Sequence, residues 1–111
     1  MSTARLPAHL EVGALIRMAE AAGGIATVIA KGERDAGTLL ILTVEPDRSL
    51  LWERMPRLDG RRGFEVVLER TASESQEFDR YLDRRRSSDQ DIWLVELYVA
   101  NAQRFIAEFS A

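Results

Sequence analysis

Four carboxylates of this chain have the types and spacing that could hold a divalent metal ion. Asp89 and Asp91 precede a predicted strand, Glu96 lies within it, and Asp35 occupies a loop between two earlier strands. Carboxylate oxygens at a strand end are ligands that Mg²⁺ and Mn²⁺ accept, and these ions support phosphoryl transfer. The pattern allows a metal-dependent phosphoryl-transfer enzyme or nuclease, although Asp89 and Asp91 are equally typical of a helix-to-strand turn.

Two arginine-rich stretches form a second set of candidate residues. They comprise the loop residues Arg57, Arg61 and Arg62 and the helix-terminal residues Arg84, Arg85 and Arg86. If the two stretches meet in space, they form a patch for phosphate or RNA. Cations at the end of a helix also complement its dipole, which explains the second stretch without any ligand. An RNA-binding module is therefore another functional alternative.

The inventory of reactive side chains excludes several kinds of catalytic centre. The chain has no cysteine and one histidine among its 111 residues. Thiol nucleophiles, iron–sulfur clusters, cysteine zinc sites and multi-histidine metal sites are therefore excluded. The histidine, His9, lies at the start of a predicted helix, where a surface or capping role is typical. Because no P-loop, dinucleotide-binding or nucleophile-elbow motif is present, we expect no cofactor.

Length and composition favour one folded domain spanning residues 1–111. Hydrophobic residues make up 46% of the chain, which is enough for a core. A net charge of −3 excludes a globally basic nucleic-acid footprint. The N-terminus lacks the apolar core of a secretory signal, and no apolar run approaches the roughly 20 residues of a membrane span. Together with the absence of cysteine, these features predict a cytoplasmic protein without a membrane partner.

Hydrophobic periodicity and turn residues predict an α+β fold with the element order αββββαβα. Apolar residues at helical spacing predict helices at about 7–22, 73–86 and 101–109. Apolar runs between turns predict strands at about 25–31, 38–45, 50–55, 63–70 and 91–99. We expect a mainly antiparallel sheet of about five strands with the helices packed on it.

Side-chain patterns within the strands predict their places in the sheet. Four strands are expected to form an antiparallel meander, and the late strand–helix–strand unit could place the fifth strand parallel to a neighbour through a right-handed crossover. The strand at 38–45 is expected at the centre of the sheet because both of its faces are apolar over most of its length. In the fourth strand, Phe64, Val66 and Leu68 alternate with polar residues and should share one face. Trp52 and Trp93 lie in strands and are expected in the core.

Three segments together resemble a known family. They are the N-terminal amphipathic helix, the loop 35–37 (DAG) that leads into a hydrophobic strand, and the segment 89–96 (DQDIWLVE). Over nearly its whole length the chain is similar to a small uncharacterised alphaproteobacterial family, the domain of unknown function 1491. The family pattern usually has proline where Gln90 stands, and the segment 51–69 matches least well. The resemblance implies a small cytoplasmic bacterial protein, and it carries no activity, substrate or catalytic residue.

The residues themselves favour a binding role over catalysis. A sizeable core, few catalytic side chains and an antiparallel sheet with an edge to protect are typical of a domain that binds another protein or itself. We therefore expect a non-enzymatic domain that binds a protein partner or forms a homodimer. The phosphoryl-transfer and RNA-binding alternatives stay open at this point.

Overall fold

Three helices and five strands follow one another in the predicted order. The structure, a computed structural model, describes residues 6–56, 58, 62–71 and 75–110, with the backbone alone at positions 56 and 62. The helices are α1 (Ala8–Ala21), α2 (Ser75–Ser88) and α3 (Ala102–Phe109). The strands are β1 (Ile25–Ala30), β2 (Leu39–Val44), β3 (Ser49–Pro56), β4 (Arg62–Arg70) and β5 (Trp93–Tyr98). The α+β class and the order αββββαβα are confirmed.

One sheet contains the five strands in the order β1-β5-β2-β3-β4. The last strand, β5, pairs in parallel with β2 and antiparallel with β1, whereas β2, β3 and β4 form an antiparallel meander. The predicted meander of four strands is therefore wrong at β1. Most residues of β2 and β5 are buried, and strands of this kind are most stable beside each other at the centre of a covered sheet. The insertion of β5 leaves β1 and β4 as the two edges.

Helices cover both faces of this sheet. On one face, here called the α1–α3 face, Leu15 and Ile106 pack in a cluster with Ile41. On the other, the α2 face, Phe78 packs in a second cluster with Leu40. Five of the six β2 residues are buried, which confirms its central place. The two tryptophans are core residues as predicted, since Trp52 is 6% and Trp93 5% exposed.

A β-bulge between β3 and β4 changes the face on which the β4 side chains lie. Leu51 pairs with Leu68 but Trp52 pairs with Val66, so the register shifts between these pairs. Phe64 consequently belongs to the core under α1 and α3, whereas Leu68 packs in the core under α2. The prediction of one shared face is wrong at Leu68, because an extra residue in a strand reverses its alternation.

An ion pair fixes α1 on the sheet. The Arg54 guanidinium in β3 donates to both carboxylate oxygens of Glu11 in α1, at 3.1 Å and 2.5 Å. Each side chain of the pair is only 13% exposed, and the guanidinium also lies 4.7 Å from the ring centroid of Phe64. Within the part of the chain that the structure describes, no helix is both long and apolar enough to cross a bilayer.

Candidate functional site

The loop 32–37 between β1 and β2 caps the N-terminus of α1. The backbone N–H of Ala8 donates to the carbonyl of Asp35 at 3.0 Å, and that of His9 donates to the carbonyl of Arg34 at 2.8 Å. The His9 ring adds a hydrogen bond from Nδ1 to the same Arg34 carbonyl, at 3.1 Å. First-turn N–H groups have no partner within their own helix, so these carbonyls satisfy groups that would otherwise be orphaned. His9 thus lies at the helix cap, one of the two roles expected for it.

The same loop is fastened to the start of β5. The indole N–H of Trp93 donates to the carbonyl of Glu33 at 2.7 Å, and the Glu33 N–H donates to the carbonyl of Asp91 at 3.1 Å. The Glu33 carboxylate accepts the N–H of Asp35 at 2.9 Å, which closes the loop on itself. The family-like segments 35–37 and 89–96 therefore meet in one hydrogen-bonded junction with α1.

The four candidate carboxylates are dispersed around this junction. Asp35 is exposed, with one oxygen 3.7 Å from Nδ1 of His9. Asp89 accepts the backbone N–H of Asp91 at 3.0 Å, as expected of a turn residue. Glu96 lies further along β5, where it pairs across the sheet with β1. Among residues 6–56, 58, 62–71 and 75–110, no group of three or more His, Asp or Glu side chains could hold a metal ion. These positions do not supply the metal site that the phosphoryl-transfer hypothesis requires, and that hypothesis stays a prediction.

Part of the predicted arginine patch lies outside the described residues. Arg57 and Arg61 are both outside them, and at Arg62 only the backbone is described. Whether the loop and the helix terminus form one surface is therefore a prediction that the described residues do not address.

The arginines at the end of α2 separate into different environments. Arg85 is bound to β3, with one guanidinium nitrogen 2.8 Å from the Glu53 carboxylate. Arg84 and Arg86 are exposed. Consecutive residues of a helix do not face the same way, so these three cations do not share one face.

A shallow groove of about 590 Å³ brings two of the candidates together. It lies between the end of α2 and the end of β1, and it includes Arg86 and Asp89. The chain's one lysine, Lys31, and a second aspartate, Asp83, also line it. The charges of its two cations and two carboxylates cancel. The groove therefore favours neither anionic nor cationic ligands.

The free edge of β1 is an exposed apolar surface that the strand patterns in the sequence did not predict. Exposed fractions are 62% for Ile25, 38% for Val28 and 47% for Ile29. The six residues of β1, IATVIA, contain no charge and no proline. This edge was not predicted because β1 was expected to pair with β2. The sequence signal that could have indicated this edge is the uncharged run 25–30, in which apolar and polar residues do not alternate.

The exposed corner of the α2 face lies beside this edge. Tyr98 pairs with Ile25, and Glu96 with Thr27, so these side chains share the face that bears α2. Tyr98 is 44% exposed, which shows that α2 does not cover this corner. A hydrogen bond with the Glu96 carboxylate raises the pKa of Tyr98 above its ordinary value, with a smaller contribution from burial. The corner therefore combines an apolar strand with a polar pair.

Comparison with known proteins places the chain in a family. The profile described as "Protein of unknown function (DUF1491)" matches residues 6–107. A crystal structure of a DUF1491 family protein from Caulobacter crescentus is 33% identical, with a TM-score of 0.76 over 91% of this chain and 94% of that one. The solution structure of protein Atu0922 from A. tumefaciens is 30% identical, with a TM-score of 0.75 over 93% of each chain. No curated protein matches. The chain belongs to the DUF1491 family.

Proposed function

We propose that this protein is a non-enzymatic cytoplasmic interaction domain that forms a homodimer through the free edge of β1. The observation that carries the proposal is an uncharged edge strand whose Ile25, Val28 and Ile29 are exposed. An edge strand presents unpaired N–H and C=O groups, and proteins normally protect such edges with charges, proline or a covering element. Pairing with a second copy supplies that cover.

The two edges of the sheet differ in this protection. The other edge strand, β4, carries Glu65, Glu69 and Arg70 along its length, and charges of this kind oppose edge-to-edge pairing. The β1 edge has only the bulge near Ile29. The asymmetry supports β1 rather than β4 as the dimer interface.

Symmetry limits the register of such a pair. In an antiparallel pair of identical strands, the two-fold axis passes midway between one residue and the same residue of the second copy. Centring the axis on Thr27 places Ile25 opposite Ile29 of the second copy, so both exposed isoleucines gain an apolar neighbour. Thr27 then faces its own copy, and cross-strand threonine pairs are favourable.

Charge complementarity supports the same register. Lys31 of one copy would lie opposite residue 23 of the other, just beyond the C-terminus of α1. The last turn of α1 contains no basic residue, and Glu20 adds a negative charge there. A lysine beside the negative end of a helix dipole is stabilising. The second copy would thus provide a cation near the last turn of α1, which has no basic residue of its own.

Sedimentation velocity of matched lysine variants tests this proposal. Ile29→Lys places a charge on the β1 edge, whereas Val66→Lys makes the same kind of change on β4, where Val66 is 43% exposed. We expect the unaltered chain and the Val66→Lys variant to sediment as dimers and Ile29→Lys as a monomer. A monomeric unaltered chain, or a dimer that tolerates Ile29→Lys, would show that the β1 edge is not a self-association surface.

A further inference from the structure

The groove between the end of α2 and the end of β1, here called the α2–β1 groove, contains four charged side chains. Lys31 and Arg86 are its cations, and Asp83 and Asp89 are its carboxylates. Within the described part of the chain, none of these four charges takes part in an ion pair. Both signs of charge therefore line one groove and are free to interact with a bound molecule.

The cationic side of the groove can hold a carboxylate. Arg86 is exposed in the last turn of α2, and a planar guanidinium can bind both oxygens of a carboxylate at once. Lys31 adds a second cation from the β1 wall. Because the proposed homodimer also brings Lys31 close to the second copy, Arg86 is the cation on which the site depends.

The acidic side of the groove favours an ammonium group. Asp83 precedes Arg86 by three residues, and this spacing places both side chains on the same side of α2. Asp89 directly follows the helix, and one of its oxygens accepts the Asp91 N–H at 3.0 Å, so the other oxygen can face a ligand. The C-terminal end of a helix is also the negative end of its dipole. Two carboxylates and this end of α2 together suit a cationic group.

The remaining lining residues favour a small polar molecule. Ser87 and Gln90 supply hydroxyl and amide groups for hydrogen bonds. The apolar lining consists of Ala30 and Ile92, and Ile92 is only 2% exposed, so the groove offers little apolar surface. Its volume of about 590 Å³ lies within the range of about 300–1,000 Å³ that is typical of small-molecule sites.

We propose that the α2–β1 groove binds a free α-amino acid with a polar side chain, in its zwitterionic form. An ion of a single sign would be repelled by half of the charges in the groove. A zwitterion instead presents its carboxylate to Arg86 and its ammonium group to Asp83 and Asp89. Both groups of an α-amino acid are attached to one carbon, and helical side chains three residues apart are separated by only about 5–6 Å at Cβ, so one small molecule can contact both signs. These three residues lie outside β1, so the site does not depend on the homodimer.

Chemical-shift titration with L-glutamine tests this site, and two derivatives that each lack one charge are the comparisons. N-acetyl-L-glutamine has no ammonium group, and L-glutaminamide has no carboxylate. We expect L-glutamine to shift the amide resonances of Arg86, Ser87 and Gln90 with a Kd on the order of millimolar, because exposed charge pairs are weak. Each derivative should bind about two- to five-fold more weakly, which is the contribution of one exposed charge pair. No shift at these amides, or a derivative that binds as tightly as L-glutamine, would overturn the proposal.

Variants of α2 assign each charge of the ligand to its partner. Arg86→Gln should remove the advantage of L-glutamine over L-glutaminamide, whereas Asp83→Asn should reduce its advantage over N-acetyl-L-glutamine. The matched control is Arg84→Gln, which removes an exposed arginine of the same helix outside the groove lining and should leave all three affinities unchanged. Equal effects of Arg84→Gln and Arg86→Gln, or an Arg86→Gln variant that still prefers L-glutamine to L-glutaminamide, would contradict the assignment.

Discussion

The tight packing of Gly37 against the start of β5 predicts that Gly37→Ala strongly destabilises the fold. A Cβ on Gly37 would lie within 3.0 Å of the carbonyl oxygens of Asp91 and Glu33 and of Cδ1 of Trp93. Two of these three contacts are backbone atoms of the hydrogen-bonded junction. Neither can move away without opening the loop that caps α1. The substitution therefore tests whether the family-like segments have a structural role.

The expected loss follows from two contributions. Overpacking of a tight site costs about 1–3 kcal/mol. Opening the loop weakens the 2.7 Å hydrogen bond from the Trp93 indole to the Glu33 carbonyl, and one such bond contributes about 0.5–1.5 kcal/mol. Together they predict a loss of about 2–4 kcal/mol in the free energy of unfolding. At about 4–8 °C per kcal/mol for a small domain, Tm should fall by roughly 10–25 °C.

Urea denaturation followed by circular dichroism measures this loss, and Gly13→Ala is the matched control. A Cβ on Gly13 would meet only the flexible end of Arg17, at 3.3 Å. Because Gly13 lies within α1, alanine there should stabilise the protein by about 0.5–1 kcal/mol. The same substitution is thus predicted to have opposite signs at the two sites. A Gly37→Ala variant within about 0.5 kcal/mol of the unaltered protein would refute the reasoning.

Two further predictions concern polar groups that attach helices to the sheet. Arg54→Met should lower the free energy of unfolding by about 1–3 kcal/mol in urea denaturation, because it leaves the Glu11 carboxylate, 13% exposed, without its partner; an unchanged midpoint would contradict this. Burial, followed by the hydrogen bond to Glu53, raises the pKa of Tyr81 above its ordinary value. The stabilisation from Tyr81 is therefore complete below about pH 10, the unfolded value, and is lost as pH rises through the folded pKa. Tyr81→Phe should be less stable than the unaltered protein at neutral pH, with a gap that closes in alkali; a gap independent of pH would contradict this.

Local patterns predicted the elements because each depends on nearby residues. The apolar run of β2 predicted its central place in the sheet, and the helical spacing of apolar residues around Leu15 predicted α1. The position of β1 depended instead on which strands pair, and pairing between β1 and β5 joins residues about seventy positions apart, such as Ile25 and Tyr98. Periodicity contains no information about such distant partners. The face of Leu68 was missed for a similar reason, since a bulge is set by the neighbouring strand.

For the candidate sites too, features set by nearby residues were predicted and features set by distant residues were not. Acidic residues near 35 and 89–91 were correctly expected in loops and turns, but the sequence did not show that, among the described residues, they form no group of three or more that could hold a metal ion. A groove of about 470 Å³ lined by Glu45, Val66 and Asn101 was not anticipated, because these residues come from three separate parts of the chain. Spacing along a chain reveals a site only when one element supplies most of its residues.

Disulfide formation by a Thr27→Cys variant tests the proposed dimer most directly. The chain has no cysteine, so this thiol is the one that can react. In the Thr27-centred register the two Cα atoms lie about 4.5–5.5 Å apart, within the range of about 4.4–6.8 Å that a disulfide spans. Mild oxidation should convert most of the variant to a covalent dimer, whereas Val66→Cys on the other edge should stay monomeric on a denaturing gel. A Thr27→Cys variant that remains monomeric, or that cross-links no faster than Val66→Cys, would contradict pairing through β1.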